Sequence, residues 1–174
     1  MHLASSTVLV LISLVGLSNA APHPLNSAQM GSKHNLYLST CTRRAGIGDC
    51  PLPIFCSAAD AAITYTAIAY FPNGPISTSG APTPPSQIAT VSEPPAPWEG
   101  ASRGAKLGRT SSVNATIDAG AATLAKGDLA GSAKLDQEDF ICFKDGTTSF
   151  EFKNEWGIRE YSCTADYWCP SIQV

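Results

Sequence analysis

Val113-Asn114-Ala115-Thr116-Ile117-Asp118-Ala119 alternates apolar and polar side chains without a break. In an extended chain successive side chains point to opposite faces, so this stretch reads as a strand with one buried side. Leu129, Gly131, Ala133 and Leu135 alternate in the same way with Asp128, Ala130, Ser132 and Lys134, which places the first four on the core side. Gly120 and Gly127 fall between the two runs, where turns are required. Further on, Asp139 to Lys144, the pair Asp145-Gly146 and Thr147 to Phe152 read as a hairpin. Asp-Gly suits a type I′ turn because both central residues there take positive φ. Asn154 to Gly157 supplies another turn, and Ile158 to Thr164 a last strand.

Upstream the pattern changes. Ala61 to Phe71 is apolar almost throughout and rich in β-branched and aromatic residues, which favours a strand buried on both faces; its alanines leave a helix as the alternative. Another strand begins at Leu36-Tyr37-Leu38 and runs into a cysteine-bearing segment that Gly46, Gly48, Pro51 and Pro53 mark as loop. Pro72 to Pro97 holds eight of the 13 prolines. Proline lacks a backbone donor, so this stretch reads as a long surface loop, with Gln87 to Ser92 able to pair only at a sheet edge. Strands with turn signals between them throughout the chain predict an all-β fold, a β-sandwich or a barrel.

The six cysteines fall into two sets of three: Cys41, Cys50 and Cys56, then Cys142, Cys163 and Cys169. If all pair internally, an odd number in each set forces at least one bond across the gap. Such a bond closes a loop of roughly 90 to 130 residues and contributes about 4–5 kcal/mol on the loop-entropy account. Both ends therefore belong to one domain. Met1 to Ala20 carries an apolar run without Asp, Glu, Lys or Arg and ends Ser18-Asn19-Ala20, a signal-peptide pattern, although the leading segment offers only His2 as a base. The expected organisation is a signal peptide over 1–20, a flexible segment over 21–35 and a single β-rich domain over 36–174, secreted with its thiols oxidised. No stretch is long and apolar enough to predict a membrane span.

Eleven basic against 14 acidic residues argue against a nucleic-acid partner. Arg103, Lys106 and Arg109 read as a solvated basic cluster. Beyond the expected leader the histidines are His23 and His34, and no Gly-x-Ser-x-Gly elbow accompanies them, so no catalytic residues are assigned. The cysteine spacings do not match a compact zinc site, and no metal or cofactor is expected. Asp136, Glu138, Asp139, Glu151 and Glu155 are the acids from which a glycosidase-like carboxylate pair could be drawn, without a spacing that selects two of them. For binding, Trp156, Tyr161, Tyr167 and Trp168 crowd the C-terminal region. Tyr and Trp combine contact area with a polar tip, which suits protein interfaces and sugar faces; the competing reading packs Trp168 and Tyr161 against the disulfides as core. Asn114-Ala115-Thr116 is the sole glycosylation sequon.

The leader ending Ser18-Asn19-Ala20-Ala21-Pro22, the six cysteines and the closing Cys163-Thr164-Ala165-Asp166-Tyr167-Trp168-Cys169-Pro170 resemble a fungal small secreted cysteine-rich protein. The resemblance implies an effector- or elicitor-like protein acting outside the cell. The expected function is thus a noncatalytic extracellular protein that binds a host or cell-wall component, an extracellular protein or glycan. A small secreted hydrolase using paired carboxylates is the alternative.

Overall fold

In the computed structural model, residues 32–44, 62–77, 83–153 and 160–173 are described. They form nine strands: β1 (Asn35–Arg44), β2 (Ala62–Phe71), β3 (Gln87–Ser92), β4 (Ser102–Leu107), β5 (Ser111–Ile117), β6 (Leu129–Leu135), β7 (Glu138–Lys144), β8 (Ser149–Lys153) and β9 (Glu160–Pro170). A 3-10 turn at Ala121–Thr123 is the helical element among the described residues. The strands pair antiparallel in the order β3-β2-β1-β9-β7-β6-β5-β4, with β8 also on β9. The end strands β3 and β4 lie side by side without ladder pairing, so the sheet curls into a nearly closed barrel. The all-β reading holds, and of the two architectures it left open the chain takes the barrel-like one.

Two apolar clusters flank the central strands. Leu36, Leu38, Ile68, Val113, Ile117, Phe140 and Tyr167 fill the interior. Tyr37, Tyr65, Ala67, Phe71, Cys163 and Trp168 make a second cluster on the other side of β1, β2 and β9, completed by Ile76 and by Phe150 of β8. The double burial anticipated for residues 61–71 is thus met over Tyr65–Ala69. Two polar tips in the second cluster are satisfied: the Ile76 amide donates to the Tyr37 hydroxyl at 2.9 Å, and the Trp168 indole N–H to Asn35 Oδ1 at 2.8 Å. Asn35, the last residue of the segment expected to be flexible, is wholly buried at the start of β1.

A β-bulge in β9 sorts the cysteines. Leu38 pairs with Tyr167 and Ser39 with Ala165, which leaves Asp166 as the extra residue. An extra residue shifts the alternation by one, so Cys163 and Cys169 point to opposite faces although six positions apart. Cys163 bonds Cys41 in the outer cluster, and Cys169 bonds Cys142 in the interior. The first bond spans 122 residues and is the staple across the gap that the cysteine sets require. Cys41 lies within β1, so the loop expected of its set begins later; Cys50, Cys56 and residues 1–31 lie outside the described residues.

Two local expectations are corrected. A register shift between Leu129 and Gly131 makes Ala130 the extra residue, turning Ala130 inward and leaving Leu129 62% exposed. Gly131 is required there, because a Cβ would meet the Thr116 carbonyl oxygen at 2.2 Å. The second correction concerns Asp145-Gly146, which does not close a hairpin. Gly146 has φ +83° but Asp145 is not left-handed, and β7 and β8 both pair with β9 instead of with each other. The buried Asp145 carboxylate accepts from the amides of Thr147 and Thr148 and pairs with Lys126 Nζ at 2.9 Å. Its own N–H and that of Gly146 donate to Asp166 and Ala165 of β9. The loop therefore runs on along one edge of β9, and side-chain capping overrides the local turn preference.

Candidate functional site

Of the four C-terminal aromatics, Tyr167 and Trp168 are buried in the two cores, Tyr161 is half-buried, and Trp156 lies outside the described residues. Tyr161 stacks on Phe152 of β8, with ring centroids 4.6 Å apart and planes 6° from parallel. Tyr65 of β2 meets Tyr161 edge-on at 6.4 Å. The period of two places Tyr65, Phe152 and Tyr161 on one side of the sheet, and the register brings their strands close. Pro84 and Pro85 approach from the segment leading into β3.

Together these residues line a groove of about 520 Å³. Its remaining described walls include Ile88 with polar side chains from Gln87, Thr90 and Lys153. Apolar and aromatic surface with a few convergent polar groups, at several hundred Å³, is the usual make-up of a small-ligand site. Burial, with the neighbouring Tyr161 ring adding to it, pushes the Tyr65 hydroxyl up to about 12, so it stays protonated as a hydrogen-bond donor. The sequence singled out Tyr161 and the proline-rich stretch as separate features. Phe152, Tyr65 and Gln87 were missed, because only the pairing of β8 with β9 and of β2 with β3 brings them to one place.

A second cavity, about 310 Å³, opens at the end of the barrel where residues 95–99 cross the inner faces of β1, β2 and β9. The bulge turns Asp166 into it, where its carboxylate accepts the Thr40 hydroxyl at 2.8 Å. Burial raises the Asp166 carboxyl above the ordinary range and Glu99 adds to this, against the Thr40 bond, Lys144 and Trp98. Glu99 lines the same cavity and accepts the Tyr167 hydroxyl. Neither acid was among the candidates from sequence, although Asp166 is the one carboxylate inside the apolar run that closes the chain.

The acids that were candidates are dispersed. Asp136 accepts the Ser112 amide, Glu138 holds His34 at 2.9 Å and the Ser171 hydroxyl, Asp139 pairs with Lys134 at 3.1 Å, and Glu151 is exposed on β8. No two of these line a common cavity among those described, and Glu155 lies outside the described residues. Asn114 of the sequon is exposed on β5 beside Gly104. Among the described residues no group of three or more His, Cys, Asp or Glu could hold a metal, and no helix is long and apolar enough to cross a membrane. No protein-family model matches the chain, and no curated protein or solved structure is significantly similar to it.

Proposed function

We propose that the chain is a secreted, noncatalytic binding protein, effector- or elicitor-like as its resemblance to fungal small secreted cysteine-rich proteins implies, which contacts a glycan of a host or cell wall. The observation that carries this reading is the groove in which Tyr65, Phe152 and Tyr161 stand opposite Pro84 and Pro85. Pyranose rings pack their C–H faces on such aromatic surfaces, and Gln87, Thr90 and Lys153 offer the donors and acceptors that hydroxyl groups require. The disulfides Cys41–Cys163 and Cys142–Cys169 fit an oxidising, extracellular setting.

A glycan array with the mature chain, followed by titration of the best oligosaccharide, tests this. Tyr161→Ala is expected to weaken that binding by about tenfold, the worth of one aromatic contact. Absence of any glycan ligand, or binding untouched by Tyr161→Ala and Gln87→Ala together, removes the proposal. Polysaccharide turnover abolished by one carboxylate substitution would establish the hydrolase instead.

A further inference from the structure

We infer that the cavity at the barrel end is a second binding site, for an organic cation whose alkylammonium group seats between Asp166 and Glu99. Among the described residues neither carboxylate has an ion-pair partner. The nearby cations are engaged elsewhere: Lys144 lies over the Tyr167 ring at 4.5 Å, and Arg103 Nε donates to the Pro97 carbonyl. Lys144 acts on Asp166 only through space, and burial still dominates that carboxyl. Two acids share one recess, Asp166 partly buried there, and neither has a counter-ion among the described residues, which leaves a negative potential that a cation would relieve.

The second observation is Trp98. Its side chain lines the cavity at 3% exposure, and its indole N–H is buried without a hydrogen-bond partner. Buried donors are rarely left unpaired. This one acts on Asp166, helping to lower its pKa, so it faces that carboxyl. A cation that holds Asp166 ionised gives the indole a full carboxylate to approach, and Thr40 already donates to the same group. Pro95, Pro97 and the Trp98 ring supply apolar wall for the methylene stem of the ligand. A bare divalent ion does not suit the site, since the described residues offer no cluster of three ligating groups. The shared chemistry is a primary ammonium on an alkyl chain, carried by a free polyamine or by a lysine side chain.

The test is titration of the full mature chain with putrescine, with N-acetyl-lysine methylamide and with the uncharged N-acetyl-norleucine methylamide. Calorimetry gives affinity, and the Trp98 indole proton resonance, assigned with Trp98→Phe, reports on the cavity itself. Both amines are expected to bind saturably and shift that resonance, with the uncharged analogue at least about tenfold weaker. Asp166→Asn should weaken amine binding by about tenfold and Glu99→Gln severalfold, while the exposed Asp118→Asn leaves it unchanged. Tighter binding of the lysine amide points to a polypeptide partner and tighter binding of putrescine to a free amine. Where near-ultraviolet circular dichroism shows Asp166→Asn misfolded, Glu99→Gln and the uncharged analogue decide. No saturable binding, equal binding of the uncharged analogue, or affinity undiminished in both carboxylate variants overturns the proposal. Glycan binding at the groove can fail or survive independently, because the two sites share no lining residue.

Discussion

Strands β1, β2 and β9 are packed on both faces, whereas β5 and β6 bury one face and leave the other to solvent. The two regions obey the same hydrogen-bonding rules but carry different loads. In β2 every side chain from Tyr65 to Ala69 is buried, so a substitution at any of them disturbs one core or the other. In β5 only Val113, Ala115 and Ile117 are buried, and Asn114 and Thr116 are free to vary. Both observed disulfides join neighbouring strands at β9, one on each of its faces. Covalent and apolar stabilisation is therefore concentrated in the doubly packed half, where each cavity is walled.

The largest effect that would sharpen this contrast comes from the staple. Removing Cys41–Cys163, which spans 122 residues, with a Cys41→Ala/Cys163→Ala pair should cost about 5 kcal/mol on the loop-entropy account. Removing Cys142–Cys169, which spans 27, should cost about 3.5 kcal/mol. Urea unfolding of the two double variants measures the difference, and equal losses would contradict it. Next comes packing. Phe150→Ala, which empties a site against Tyr37 and Phe71, should lose about 3–5 kcal/mol, against about 1 kcal/mol for Ile117→Val in the singly packed half. A loss from Phe150→Ala no greater than that from Ile117→Val would break the comparison. Within the singly packed half, Gly131→Ala should cost about 1–3 kcal/mol, since its methyl group would collide with the Thr116 carbonyl, and amide exchange should quicken along β5 and β6.

The subtlest contrast is in pH dependence, between two acids joined by a backbone bond. Burial alone would raise the Asp145 carboxyl, but the bonds from Thr148, Lys126 and the amides of Thr147 and Thr148 outweigh it, and its pKa is depressed. Its contribution is therefore present above the unfolded value of about 4 and lost as pH falls through the folded one. Burial of Asp166 wins in the opposite sense and raises its pKa. Folding then favours the protonated form, and stability declines as pH rises from about 4 through the folded value. Asp145→Asn should flatten the acid side of the stability profile and Asp166→Asn the side above it. Urea midpoints across that range check both, and the same slope change from both variants would contradict the assignment.

Much of the fold was legible because period-two patterning is set by local geometry. Val113, Ala115 and Ile117 point inward as their spacing indicates, and Gln87–Ser92 is an edge strand because the prolines around it cannot donate. The misread alternation at Leu129–Gly131 falls where one residue is inserted. The bulge at Ala130 reverses the pattern, as the one at Asp166 does in β9, and a bulge depends on the facing strand. Asp145-Gly146 failed as a hairpin for a related reason, since the partner for both flanking strands is β9, remote in sequence. Of the candidate site, Tyr161 and the prolines were visible, while Tyr65, Phe152, Glu99 and Asp166 were not.

Alone, the amino-acid order determined that the chain is all-β, that its ends are covalently tied and that its polar and apolar positions separate into faces. Those properties follow from side-chain alternation and from the parity of the two cysteine sets. Tertiary structure decided that the sheet curls into a barrel, which faces Cys41, Cys142, Cys163 and Cys169 take, and that Glu99 and Asp166 line one cavity. These depend on register between strands far apart in sequence, and register is a property of pairs of strands that no single stretch encodes.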